Sequence, residues 1–385
     1  MGHVFRTEEQ LMAVDGLRRF LDTEAEPIFN REYRDRFVPR EVMGRLMRRL
    51  AAHGLVSGVV APGQGGLGVD WLTSLMLFEE VATTSVDLSA PVLINSFAAQ
   101  MLQRIAPPPL RDRYLPGLVE GTSFASIAVS EPGVGSNVLE IKARARRDGG
   151  HYVITGEKTW ISNGSYSDFL ICTCRTGEDP RHGLSHFLLD RKEHPYEVRE
   201  IDKIALNSQS TAQIFIDEVR VPVANRLGEE GAALKNTLAL FERSRVFVAA
   251  QALGIARRAL QEAVRYSTER RQHGKQIAGH QLVAAMLADM ATRVDAARLL
   301  IHRAARMIES GLPAEMEAAM AKYFACESAV EIARQAVQIH GGNGVTRDFL
   351  VEKLAREAIV MPIPEGTTQI QQLIIGRALT GISAF

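Results

Sequence analysis

The spacing of apolar residues changes twice along this chain, from a helical period to a strand period and back, so one layer type cannot account for it. Leu11, Val14, Leu17, Phe20 and Leu21 recur at helical intervals in a segment expected to stop before Pro27. Further helices are expected over residues 40–53, about 69–83 and on to 104, and 110–120. From about residue 123 the pattern shifts to short runs at 125–130, 141–147, 152–155, 169–174, 187–189 and 214–216, with Asp148-Gly149-Gly150 as a hairpin turn. From about Leu238 the helical period returns. Val246, Ala249, Ala250, Leu253 and Leu260 are expected inside, with Arg257, Arg258, Gln261, Glu262 and Arg265 in water. Leu282 to Ala297 forms a second seam, and a third helix runs from Pro313 to Gly341.

A chain of 385 residues exceeds what one core usually supports. The expected fold is α+β: an N-terminal helical domain at 1–122, a middle antiparallel β-barrel or sandwich at 123–228, and a C-terminal four-helix-type bundle at 229–385. A formal net charge of zero gives no whole-molecule field for nucleic acid or an anionic membrane. Cys172, Cys174 and Cys326 make no disulfide framework and no zinc site, so neither a metal nor an oxidising compartment is expected. No membrane span or leader is evident, which predicts a cytoplasmic protein.

Several stretches carry chemistry. Gly63-Gln-Gly-Gly-Leu-Gly68 matches the dinucleotide fingerprint and would make the chain an NAD-dependent Rossmann dehydrogenase. That reading needs a second strand about 20 residues on, where the pattern here stays helical. The loop Val129-Ser-Glu-Pro-Gly-Val-Gly-Ser-Asn137 can cradle a phosphate or a polar ring edge, or simply turn between strands. In Lys158-Thr-Trp-Ile-Ser-Asn-Gly164, Trp160 offers a flat face for a ring, with Ser162 two residues on and on the same side of a strand; it also suits a core anchor. Pro364 and Gly366 put Glu365 in a loop ahead of a helix, which Thr367 or Thr368 can cap and Thr368 with Gln371 can box. The helix dipole lowers the pKa of such a carboxylate and desolvation raises it, so it is either a tuned base or an acid favoured near a helix start.

Pro-Glu-Gly-Thr-Thr-Gln-Ile-Gln, with Glu365 as its acid, resembles the Tyr-Glu-Gly-Thr-x-Gln-Ile-Gln signature of the acyl-CoA dehydrogenases, whose Glu removes the substrate α-proton. Matches run from about residue 7 to 380. The 129–137 loop is similar to the family's Thr-Glu-Pro-x-x-Gly-Ser-Asp loop, which implies that Val129, Ser130 and Ser136 contact FAD; Asn137 replaces its Asp. Resemblance to Trp-Ile-Thr-Asn-Gly places Trp160 and Ser162 at the flavin, and the C-terminal signature adds Thr367 and Gln369 at the cofactor and Gly366 at the substrate. Phe241-Glu-Arg-Ser-Arg245 implies that Glu242 and Arg245 line the pantetheine path. The segment 266–277 gives Arg270 and Gln272, and 337–344 gives Gln338 and Gly342, to the far half of an FAD held mainly by a neighbouring subunit; His273 stands for a family Phe.

The resemblance implies α,β-dehydrogenation of a saturated acyl-CoA or acyl-carrier-protein thioester in fatty acid metabolism. Glu365 would take the α-proton while hydride passes to flavin N5. The thioester oxygen would meet an FAD ribityl hydroxyl and the Glu365 N–H, which survives because Pro364 falls one position earlier. An electron-transferring flavoprotein would be the acceptor, and a homodimer or homotetramer the working form. Ser244 stands where some members carry the base, and cannot serve as one; Pro364 and Ile127 replace Tyr residues and reshape the acyl pocket. A flavin oxidase or monooxygenase of the same fold and a helical scaffold without chemistry are the other readings, besides the NAD enzyme.

Overall fold

The computed structural model describes residues 7–384; residues 1–6 and 385, which the expected outer domains include, lie outside the described residues. Helices α1 (Glu8–Phe20), α2 (Arg40–Ala52), α3 (Trp71–Thr84), α4 (Val86–Ile105) and α5 (Pro108–Val119) come first. The first helical segment does not stop before Pro27. It continues through π turns at Leu21–Ala25 and Ile28–Glu32, with Pro27 capping the second turn, where its missing N–H is not needed. Ahead of the Gly63–Gly68 motif the chain makes a 3-10 turn at Ser57–Val59, so the motif follows no strand, and α4, not a strand, follows α3. The crevice between parallel strands that a dinucleotide needs is therefore absent there, and the Rossmann reading fails.

The β unit contains β1 (Ala125–Ala128), β2 (Arg144–Asp148), β3 (His151–Ser162), β4 (Phe169–Arg175), β5 (Leu184–Asp190), β6 (Glu197–Glu200), β7 (Thr211–Pro222) and β8 (Arg226–Leu227). They form one sheet in the order β6-β7-β3-β2-β4-β5-β8. It is mixed rather than purely antiparallel, because β1 lies parallel to β4 from Ala125↔Phe169 to Ala128↔Cys172. The side chain of Asn95 on α4 fixes that entry by binding the Ser123 carbonyl and the Ala125 N–H. β6 was not visible as a run, since its four residues are Glu-Val-Arg-Glu.

The C-terminal part holds α6 (Ala233–Glu269), α7 (Gln281–Glu309), α8 (Glu315–His340), α9 (Val351–Val360) and α10 (Thr368–Thr380). Although separated by the whole β unit, the N-terminal and C-terminal helices share one hydrophobic core, while the sheet closes over its own. α6 crosses α3 so closely that a Cβ on Gly254 would stand 2.6 Å from Ala82 Cβ. No described helix is long and apolar enough to cross a membrane.

Two expectations about helix faces change. Arg257 is not in water: it turns into the crossing and meets Glu79 at 2.8 Å, where Arg298 also binds Glu79 at 2.9 Å, while Arg18 binds the adjacent Glu80 at 2.9 Å. Glu262 is also buried, between Arg258 and Arg265. Leu282, expected in a seam, is 82% exposed. Burial alone would raise Glu79, but Arg257 and Arg298 outweigh it and hold its pKa at about 2, against an ordinary 4.5. This contribution to stability is complete above pH 4.5 and is lost as pH falls toward 2. Arg257→Met, which leaves Glu79 to Arg298 and Glu80 to Arg18, should cost about 1–3 kcal/mol in urea unfolding.

Candidate active site

Glu365 sits in the short loop between α9 and α10 with φ +56°, a left-handed backbone that costs a non-glycine residue roughly 1–3 kcal/mol. Gly366 follows at φ +87°. Thr367 caps α10, its hydroxyl accepting from the Ile370 N–H at 3.4 Å. Gln371 does not complete a capping box. It is fully buried and its amide donates to the Glu365 and Gly366 carbonyls at 3.2 and 2.8 Å.

The loop brings Glu365 against α6, where the Ser244 hydroxyl donates to its Oε2. Sequence reasoning considered Ser244 only as a place for another base and missed this contact. Burial raises the Glu365 pKa above its ordinary 4.5; the Ser244 hydrogen bond and the charges of Arg245 and Lys322 pull against it without cancelling it. Desolvation therefore prevails over the hydrogen bond and the two neighbouring cations.

Arg245, one residue beyond Ser244, is buried, and among the described residues its Nε has no hydrogen-bond partner. Every other described Asp, Glu, Lys or Arg that is fully buried has an ion-pair partner, except Lys322. A buried guanidinium left incomplete is costly unless an acceptor reaches it. Glu242 is half-buried and accepts the Ala314 N–H at 3.2 Å, tying α6 to the start of α8.

On the β unit, the 129–137 loop is anchored from below. Lys158, fully buried on β3, donates to the Val129 carbonyl at 3.0 Å and to Glu131 at 2.9 Å, and Glu131 in turn accepts the Lys142 and Ala143 N–H groups. The Ser130 carbonyl takes the Thr159 N–H at 3.0 Å. Ser136 lies exposed at the outer end, beside Gly135. Sequence reasoning gave Lys158 and Glu131 no role, although both lie within the motifs of the two loops; Lys158 falls on a buried position of β3, whose pattern is otherwise mixed.

Trp160 is not a core anchor. The register of β3 with β7 shifts between Lys158 and Ile161, and Trp160 occupies that bulge at φ +62°, 62% exposed. The bulge also breaks the regular alternation on which a same-side placement of Ser162 rests; Ser162 is half-buried, its carbonyl taken by Ser126. A strained, exposed indole beside a loop of free glycines fits a planar ring with a phosphate tail, such as FAD.

Arg270, Gln272, Gln338 and Gly342 gather elsewhere, at one end of the helical bundle, all exposed. The Tyr266 ring stacks on His340 at 4.1 Å and its hydroxyl accepts from Asn343, which binds the end of α6 to the end of α8. Among the described residues, no hydrogen bond joins this group to the Trp160 or 129–137 segments. Gln369 is exposed on the first turn of α10. A cleft of about 530 Å³ between Arg34, Lys203, Arg347 and Arg356 includes none of these residues, and no metal-ligating cluster occurs among the described residues.

Models of the acyl-CoA dehydrogenase N-terminal, middle and C-terminal domains match residues 7–122, 126–219 and 232–380. An acyl-CoA dehydrogenase of Bacillus subtilis is 36% identical over 97% of this chain and 99% of its own length. The caffeyl-CoA reductase-Etf complex subunit CarC of Acetobacterium woodii is 34% identical over 89% of this chain and 90% of its own. The structure of butyryl-CoA dehydrogenase from Megasphaera elsdenii superposes with a TM-score of 0.93 at 29% identity, over 97% of this chain and 98% of that one.

If Lys158 supports the 129–137 loop, Lys158→Met strands Glu131 beneath it. The variant should purify with less bound flavin, read from the ratio of visible to ultraviolet absorbance, and lose about 3–5 kcal/mol of stability.

Proposed function

Because the chain belongs to the acyl-CoA dehydrogenase family and carries out that family's reaction with FAD, we propose that Glu365 is the base that removes the substrate α-proton. The observation that carries this is the half-buried Glu365 carboxyl, its pKa raised by burial, presented on a left-handed backbone and hydrogen-bonded by Ser244 next to the incomplete guanidinium of Arg245. Bound FAD supplies the acceptor for the β-hydride. The α-C–H of a thioester becomes acidic enough only if the oxygen is polarised as charge develops. Among the described residues no acceptor takes the Glu365 N–H, so it is free to donate to that oxygen. Arg245 then receives an acceptor from the thiol carrier, and Ser244 holds the carboxylate between turnovers.

Val129, Ser130, Ser136, Trp160 and Ser162 hold the flavin half of the cofactor in this reading, with Thr367 and Gln369 beside it and Gly366 and Glu242 along the substrate. Arg270, Gln272, Gln338 and Gly342 serve the distant half of a cofactor bound by a second copy. Their separation from the Trp160 loop and the exposure of Leu282 and Leu299 on α7 support a dimer or a dimer of dimers. An electron-transferring flavoprotein is the acceptor suggested by the complex named for the Acetobacterium relative, and acyl thioesters of fatty acid metabolism are the substrate class.

Glu365→Gln should stay folded and yellow but bleach anaerobically with acyl-CoA about 10²–10⁴ times more slowly. Bleaching at the wild-type rate would place the base elsewhere. Because the base acts ionised and burial raises its pKa, wild-type flavin reduction should fall as pH drops through a value above 4.5. Separately, Arg270→Ala should lower flavin content without unfolding the chain, and size-exclusion chromatography with light scattering should find the wild type larger than one 42.4 kDa chain.

A further inference from the structure

Lys322 is fully buried on the face of α8 formed by Ala318, Ala319, Ala321 and Ala325, a place where an ammonium is expensive. Among the described residues it has no ion-pair partner. Its Nζ instead donates to the Pro362 and Gly366 carbonyls, each at 2.8 Å, one on either side of Glu365 in the loop. Gln371 takes the Gly366 carbonyl as well, and the Glu365 carbonyl, from α10. Two buried side chains on two helices thus fix the peptide planes that flank the strained residue, and the loop turns these carbonyls inward.

Resting on the assignment of Glu365 as the base, we infer that Lys322 is a positioning residue for proton abstraction. It holds the loop from beneath, so that the Glu365 carboxylate faces α6 and the Glu365 N–H stays free for the thioester oxygen. A lysine needed only to join α8 to the loop would, when replaced by an apolar side chain, cost stability by freeing the Pro362 carbonyl but leave the pH dependence of the reaction unmoved. The ammonium differs in two respects. It spans two carbonyls at once, and its charge acts on the carboxylate. The groups around it are Cys326 and Glu327 on α8, Glu365 in the loop and Arg245 on α6, with Glu327 occupied by the Thr368 hydroxyl. Lys322 is thus the unpaired cation on the loop side of Glu365, and Arg245 the one on the α6 side.

The test compares the holoenzyme with Lys322→Met, Lys322→Arg and Glu365→Gln. Lys322→Met should remain yellow and slow anaerobic bleaching by acyl-CoA roughly ten- to a hundredfold, with little change in half-saturation, the loss expected when a reacting group is displaced by about 1 Å. Its acid limb should move to higher pH, because removing a cation that lowers the Glu365 pKa lets burial raise it further; Lys322→Arg, which keeps the charge, should hold the limb near its wild-type place. Independently of activity, hydrogen exchange across residues 362–367 should quicken in Lys322→Met. If Lys322→Met does not fold, Gln371→Leu releases the Glu365 and Gly366 carbonyls from the other side and should quicken the same exchange and slow bleaching. The inference is overturned if the variant that folds bleaches within about twofold of wild type with an unmoved acid limb and unchanged exchange, while Glu365→Gln is silent. Wild-type bleaching by Glu365→Gln would instead overturn the base assignment, and the role of Lys322 with it.

Discussion

Two segments 121 residues apart meet in the hydrogen bond from Ser244 to Glu365, and the arrangement of the site depends on that contact. It requires α6 and the loop before α10 to be held against each other, which the long packing of α6 along α8 provides, and it requires the loop to present its carboxylate rather than its carbonyls. The second requirement conflicts with backbone preference, since Glu365 adopts φ +56°. Lys322 and Gln371 resolve the conflict by capturing carbonyls that the loop would otherwise direct to water or to the site. Strain at one residue is thereby maintained by hydrogen bonds made through its neighbours.

The same reasoning extends to the frame. The helices before and after the β unit form one core, with Gly254 allowing α6 to cross α3 closely and the Glu79–Glu80 pair drawing arginines from α1, α6 and α7 into the crossing. One face of the sheet closes over its own core, while Phe169, Ile171 and Leu188 on the other face pack into the helical core, and Asn95 ties α4 to the start of β1. The β unit can therefore carry the 129–137 loop and Trp160 on its own scaffold while the helices carry Glu365.

Much of this was legible in the sequence. The two changes of period marked the helical, strand and helical regions because buried faces repeat at 3.6 and 2 residues, and the loop around Glu365 was marked by Pro364 and Gly366. What was not legible depended on partners far along the chain. Arg257 reads as a surface residue by periodicity alone; only the acids of α3 turn it inward. The bulge that exposes Trp160 is a register shift against β7, and the local alternation of β3 gives no sign of it. β6, all polar but for Val198, has no strand period to detect. The helix through Pro27 shows the limit of a local rule, because π turns on both sides remove the need for the missing donor.

The distribution of buried charge separates framework from site. In the framework, buried charges are paired: Lys158 with Glu131, Lys353 with Asp87 and Glu357, Arg257 with Glu79. Each pair recovers by attraction and hydrogen bonding part of what desolvation costs. Around Glu365 the rule is broken, for among the described residues no carboxylate pairs with the buried cations Arg245 and Lys322, and both act on the Glu365 charge. Had either cation formed a close ion pair with Glu365, the carboxylate would be a poorer base, its pKa driven down and its oxygens occupied. Kept near but not bonded to it, they moderate the desolvation and leave the oxygens to Ser244 and to whatever proton the site receives. In the reading that makes Glu365 the base, that spacing leaves its pKa raised by burial and its oxygens free to take a proton from carbon.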